Sequence, residues 1–234
     1  MKKKVLSIAL VVALVAIMVS GTLAYFTDSD EVTNTFTVGS VLIDIYENNA
    51  QTDSDTMRFD KLLTPVVNAD PSSDASYIHK AVKVKNTGLN AAYVRTHLAI
   101  PTALVDYLVL DVDTENGWQQ VAVSTAGDYT VYTYDYTNAV DPNAFTADLL
   151  KGVYLASDVD LEQDNNGCLW FVKKTGGEIT HRSGFMAHEK TDTGYESTVV
   201  NVLVASQAIQ AQGFENGATN ALDSGFGQGT NPWQ

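Results

Sequence analysis

His181 and His188 share one short segment with Glu178, Glu189 and Asp192. Imidazole nitrogens and carboxylate oxygens are ligands that a zinc ion takes. Glu178, His181, His188 and Glu189 are therefore the candidate metal-holding residues of this chain. Against a zinc site, His188-Glu189-Lys190-Thr191-Asp192 lacks the second histidine of the helical zinc-protease motif. Gly184, Thr191 and Gly194 make the segment read as a solvated loop, with zinc as the alternative. The other two histidines, His79 and His97, fall in β-like runs and read as ordinary strand residues.

Two acidic runs raise calcium. Asp111-Val112-Asp113-Thr114-Glu115-Asn116-Gly117 places its glycine one position late for a helix–loop–helix calcium site, and Ala122 stands where a bidentate glutamate is required. In Glu162-Gln163-Asp164-Asn165-Asn166-Gly167 the glycine is in place, but the loop would end at Lys173. Both read better as acidic turns. Ser183-Gly184 and Ser224-Gly225 lack the flanking glycine of a nucleophile elbow. No phosphate-binding loop or dinucleotide fingerprint occurs, so no catalytic residue and no cofactor is assigned. Tyr132, Tyr134 and Tyr136 alternate with a period of two, which puts three phenols on one strand face. Core packing is the plain reading, and a sugar- or partner-binding face is the alternative.

The elements that must position these residues are mostly strands. Short β-branched or alternating runs separated by Gly, Asn, Asp and Pro predict strands at 33–38, 41–47, 78–85, 92–100, 108–112, 119–123, 129–136, 169–173 and 198–211. Asn86-Thr87-Gly88-Leu89-Asn90 reads as a hairpin turn between two of them. Asn48-Asn49 breaks the second run, residues 49–57 read as a solvated loop, and 66–76 as another. Helix is expected at 147–155, where Leu149, Leu150 and Val153 recur at mixed spacing, and from an Asn216 cap through Phe226. The fold class that follows is all-β: a jelly-roll-like antiparallel β-sandwich with short helices, preceded by a cleaved signal peptide.

That leader is explicit. Lys2, Lys3 and Lys4 precede an uncharged apolar run from Val5 to Val19, then Ser20-Gly21-Thr22-Leu23-Ala24. A basic start, an apolar stretch and small residues at the cut form a secretory signal peptide, with cleavage expected between Ala24 and Tyr25. The run is shorter than the ~20 residues that span a bilayer comfortably, although an uncleaved anchor is the alternative. Cleavage removes three of the 14 basic residues and none of the 28 acidic ones, taking the net charge from −14 to −17. Such a surface repels nucleic acid. Cys168 is the only cysteine, so no intramolecular disulfide forms, and beside Leu169, Trp170 and Phe171 it reads as a buried small hydrophobe.

Three blocks carry a resemblance. The first is Gly21-Thr22-Leu23-Ala24-Tyr25-Phe26-Thr27-Asp28, followed by Asn34-Thr35-Phe36-Thr37-Val38-Gly39 and the run Val41 to Ile45. The second is Lys80 to Gly88, leading into Ala91-Ala92-Tyr93-Val94-Arg95, and the third is Val202 to Phe214. In this order they resemble the TasA/camelysin family, secreted proteins of Gram-positive bacteria with a dedicated signal peptidase. Residues 110–195 carry no such likeness.

The resemblance implies a sandwich fold and a structural role: a secreted protein that self-assembles into extracellular biofilm-matrix fibres by donating an N-terminal strand to the next subunit. Phe36 and Val38 would fill pockets of the acceptor. The division expected is a signal peptide at 1–24, a candidate donor strand at 25–38, the sandwich at 39–226 and a frayed tail at 227–234. The tail carries no wall-sorting motif, so release to the matrix or cell surface is expected. The partners implied are other copies of the chain, head to tail, and signal peptidase during export, with an accessory matrix protein left open. The alternatives are a camelysin-like surface metallopeptidase, which zinc would serve, and a monomeric adhesin or carbohydrate-binding sandwich.

Overall fold

A computed structural model describes residues 27–29, 41–48, 50–51, 56–58, 65–68 and 70–233. In chain order the strands are β1 (Thr27–Ser29), β2 (Ile43–Glu47), β3 (Ala50–Gln51), β4 (Thr56–Arg58), β5 (Ile78–Asn86), β6 (Ala92–Pro101), β7 (Leu108–Val112) and β8 (Trp118–Ala126). They continue as β9 (Tyr129–Val140), β10 (Leu150–Leu155), β11 (Val159–Gln163), β12 (Leu169–Thr175), β13 (Glu178–Thr191), β14 (Gly194–Ser197) and β15 (Asn201–Gln210), before helix α1 (Ala218–Phe226).

Three antiparallel sheets result. The first runs β1-β15-β6-β9-β8, with β4 also on β15; the second runs β3-β2-β5-β10-β7; the third runs β11-β12-β13-β14. The alternation read in the sequence does what it predicts. Val94, Leu98 and Ile100 of β6 point to one face, opposite Tyr136, Tyr132 and Thr130 of β9. That face meets Ile43, Ile45, Val82 and Val84 of the second sheet in one continuous core. Each fully buried aliphatic side chain contributes about 1.5–3 kcal/mol by leaving water, so the sandwich needs no covalent staple. The all-β class is as expected.

The link at Asn86 is not the hairpin expected from the sequence. β5 lies in the second sheet and β6 in the first, so Asn86 to Asn90 carries the chain from one layer to the other. Asn86 is fully buried there. Its Nδ2 donates to the carbonyls of Asn90 and Val140, both at 2.8 Å, and its Oδ1 accepts from Gly88 N–H at 2.9 Å. Thr87 and Gly88 N–H both donate to the Leu42 carbonyl. A local signal of two strong strands and an Asn-Thr-Gly turn cannot distinguish pairing with each other from pairing with other strands.

Residues 150–155, within the expected helix, form β10 in the middle of the second sheet, between β5 and β7. Against β7, a bulge between Leu150 and Gly152 puts one extra residue in this strand. Leu150 and Val153 therefore both face inward at a spacing of three, and this imitates helical periodicity. The third sheet is the other departure. The expected loop around His181 and His188 belongs to the 14-residue strand β13. Glu178 to Arg182 is exposed along its whole length, so no alternation marks it, and pairing with β12 and β14 defines it instead. Within the expected loop 49–57, β3 folds back on β2 with Glu47 opposite Ala50, and β4 begins at Thr56.

Helix α1 forms as expected, but Gly217 occupies the cap position without a side-chain bond, and Asn216 lends only its carbonyl to Asn220 Nδ2. The helix buries Ala218, Ala221 and Leu222 against Ile209, Tyr93 and Phe214 on the outer face of the first sheet. Residues 227–233, expected to fray, pack on that face too: Asn231 is buried and donates to Ser124 Oγ at 2.8 Å. Cys168 is half-buried, not buried, at the β11–β12 turn.

Asn86→Ala should destabilise the fold by about 2–4 kcal/mol, because two carbonyls and one N–H lose buried partners. Urea unfolding of the variant beside the parent measures this, with unchanged circular dichroism at zero denaturant.

Candidate assembly edge

β15 pairs with β6 from Leu203↔Ala99 to Gln210↔Ala92. Its other side is shared by two three-residue strands. β1 pairs Thr27↔Ile209, Asp28↔Ala208 and Ser29↔Gln207, while β4 pairs Asn201↔Arg58, Val202↔Met57 and Leu203↔Thr56. Val204, Ala205 and Ser206 meet neither of them. Among the described residues this edge is covered by short segments, and an incompletely covered edge is a template for an added strand.

Behind this edge lies a buried polar layer that the sequence reading did not single out. Arg95 grips Asp135 with both ends of its fork, Nε to Oδ1 at 2.7 Å and Nη2 to Oδ2 at 3.0 Å. The same Nη2 reaches Asp223 Oδ1 at 2.7 Å, and Nη1 donates to the Gly227 carbonyl at 3.1 Å. Arg95 and Asp135 are at most 1 % exposed. Burial works against the Arg95 charge, but the bonds to Asp135 and Asp223 outweigh it, and its pKa lies above the ordinary value. One guanidinium thus ties β6, β9 and the end of α1 together. Charged residues inside otherwise apolar runs, Arg95 after Ala92-Tyr93-Val94 and Asp135 between two tyrosines, are the sequence signal for such a pair.

His97, two residues on in the same strand, is fully buried. Its Nε2 lies 3.1 Å from Gln207 Oε1 and its Nδ1 lies 3.0 Å from Thr133 Oγ1. A carbonyl oxygen only accepts, so Nε2 carries the hydrogen and Nδ1 accepts from the threonine hydroxyl. The ring is neutral. Burial pushes its pKa from 6.5 down to about 4; the Gln207 bond and Asp135 oppose this, and the Arg95 charge adds to it. Trp233 of the tail stands edge-on to the same ring. Gln207 therefore bonds His97 through its side chain while its backbone lies opposite Ser29 of β1.

The residues singled out in the sequence fall as follows. Ala24, Tyr25, Phe36 and Val38 lie outside the described residues, as does the expected strand 33–38. Glu178, His181, His188 and Glu189 are strung along β13. Seven residues at about 3.3 Å each separate the two histidines by roughly 20 Å, too far to share one ion. His188 Nδ1 instead meets Ser197 Oγ at 3.1 Å. Among the described residues no three His, Cys, Asp or Glu side chains gather closely enough to hold a metal ion.

Both acidic runs are turns. Asp113 accepts from the N–H groups of Glu115 and Asn116 and from Asn116 Nδ2. Asp164 accepts from Asn166 N–H, Cys168 N–H and Trp170 Nε1. The bond from Trp170 leads the causes that lower the Asp164 pKa. Tyr132, Tyr134 and Tyr136 face the core; Tyr132 and Tyr134 line a groove of about 280 Å³ with Ile100, Val105 and Leu108. Among the described residues no helix is long and apolar enough to cross a membrane.

Arg95→Met should cost about 3–5 kcal/mol, because it strands the buried Asp135 carboxylate; thermal unfolding reads the loss. The His97 contribution depends on pH. Its folded pKa is below its unfolded value, so the unfolded chain takes up the proton first. Its stabilisation is complete above pH 6.5 and falls away as the pH drops toward about 4, by about 3 kcal/mol. In His97→Gln the slope of unfolding free energy between pH 6.5 and 4 should flatten by that amount, measured by urea titrations at stepped pH.

Comparison with protein-family models, with curated proteins and with solved structures finds no match to this chain.

Proposed function

We propose that the protein is a secreted structural subunit that assembles head to tail into extracellular matrix fibres by exchanging its N-terminal strand. The observation that supports this reading is the pairing of β1 with the outer edge of β15. β1 begins at Thr27, two residues beyond the Tyr25 that the expected cleavage would leave as the first residue. A strand at a chain end is tethered on one side only. It is thus the easiest element to exchange, because leaving its own β15 for that of a neighbour reforms the same backbone bonds. Such a contact does not close on itself and propagates. The net charge of −17 that cleavage would leave opposes association, so assembly should strengthen as salt screens it.

The resemblance of the Gly21–Asp28, Lys80–Arg95 and Val202–Phe214 blocks to the TasA/camelysin family supports the same reading. The peptidase alternative draws no support from four candidate ligands spread along β13, nor the tyrosine-face adhesin from phenols turned toward the core.

Removal of residues 25–38 from the processed chain should leave a protein that is folded by circular dichroism and forms no filaments by electron microscopy. A synthetic peptide of residues 25–38 should bind the truncated protein and block growth of fibres of the parent. Filaments of normal length from the truncated protein would sink the proposal, as would unfolding of the truncated chain with no rescue by the peptide.

A further inference from the structure

We infer that a cleft on the outer face of the second sheet, built over Gly152, is a binding site for a non-acidic saccharide. Gly152 of β10 lies opposite His79 of β5 on one side and Asp111 of β7 on the other. Residues directly opposite share a face, so a bare position sits in the middle of this row. The ring of Tyr77 occupies it. A β-carbon at 152 would stand 2.2 Å from Tyr77 Cζ and 2.4 Å from its hydroxyl oxygen. Glycine inside a central strand weakens it, and here it makes room for an aromatic floor.

The floor is held rigidly. Tyr77 donates its hydroxyl to Asp111 Oδ2 at 2.6 Å. His79 meets the ring edge-on at 4.7 Å, and Tyr154 stacks alongside at 5.8 Å and 29°. Above it opens a cleft of about 570 Å³, walled by Tyr154 and His79, by Asp70 at the start of the Pro71–Ser73 turn, and by Lys151 at the rim. Tyr77 itself is only 3 % exposed, so the half-exposed Tyr154 and the exposed His79 present the accessible rings.

The lining selects among ligand classes. Two carboxylates, Asp70 and Asp111, repel phosphates and uronates. The Lys151 ammonium is paired with Asp113 at 3.3 Å and half exposed, so the lining stays net negative and turns away acidic sugars. A pyranose without an acid group fits that lining. Its C–H face lies on an aromatic ring, its hydroxyls donate to carboxylates and accept from an ammonium, and the volume is that of an ordinary small-molecule site. The site is formed by β5, β7 and β10 and the 70–77 segment, away from the β15 edge, so it is independent of strand exchange.

Titration of the full chain, followed by amide chemical shifts, tests this with four probes: the tetramers of glucose, N-acetylglucosamine, glucosamine and galacturonate. At least one of the glucose, N-acetylglucosamine and glucosamine tetramers should move the resonances of Tyr77, His79 and Gly152, with the galacturonate tetramer weaker. Tyr154→Ala should weaken that binding roughly threefold to tenfold, and Asp70→Asn, which keeps the side-chain oxygen that caps the Pro71–Ser73 turn, should weaken it with little change in the thermal midpoint. Three outcomes would overturn the inference. These are no shifts with any of those three tetramers up to about 10 mM, equal affinity in Tyr154→Ala, or preference for the galacturonate tetramer.

Discussion

A guanidinium removed from water costs several kcal/mol unless its donors are met, and in this protein the answer to Arg95 organises one whole side of the sandwich. Asp135 alone could neutralise the charge, but two of the bonds go elsewhere, to Asp223 and to the Gly227 carbonyl. Helix α1 and the chain after it are thereby fixed over β6 and β9, and Ile209 of β15 is sealed beneath Ala221 and Leu222. With the core on one face and the helix on the other, β15 has only its edge left to offer. The edge on which the functional reading rests is thus defined by an ion pair one strand away.

Much of the fold was legible because burial writes a period of two into the sequence. The runs at 78–85, 92–100, 108–112 and 129–136 each became strands that start at the expected residue. What failed did so for physical reasons. At 150–155 a bulge against β7 gave an inward-facing strand the spacing of a helix. At 178–191 a strand exposed at its start carried no hydrophobic pattern and looked like a loop. Asn86 showed that a turn was present but not which layer the chain entered next, because strand partners are chosen over distances that local patterns do not encode.

The candidate sites divide in the same way. Residue types flagged His181 and His188 because of their chemistry, yet a strand spaces them along its length and keeps them apart. Arg95 and Asp135 each interrupt an apolar run, but nothing local says that neighbouring strands will bury them against each other and beside His97. The aromatic cleft was hidden for a further reason: its centre is a residue with no side chain. Gly152 reads as a weak point in a strand until the ring of Tyr77 is seen resting on it.

The pairing of Thr27 with Ile209 joins two ends of the sequence, and this has a consequence for the order of events in folding. A chain made from its N-terminus produces β1 first and β15 last among the strands. Contacts so distant in sequence close slowly, and β6 must also wait for β15. Between the docking of β15 on β6 and the arrival of β1, Gln207, Ala208 and Ile209 lack the partner that β1 gives them. Under the proposed strand exchange, whichever N-terminal segment arrives first, its own or another's, would take the position. Local concentration where the chain folds, as much as affinity at equilibrium, would then decide between a closed monomer and a linked pair.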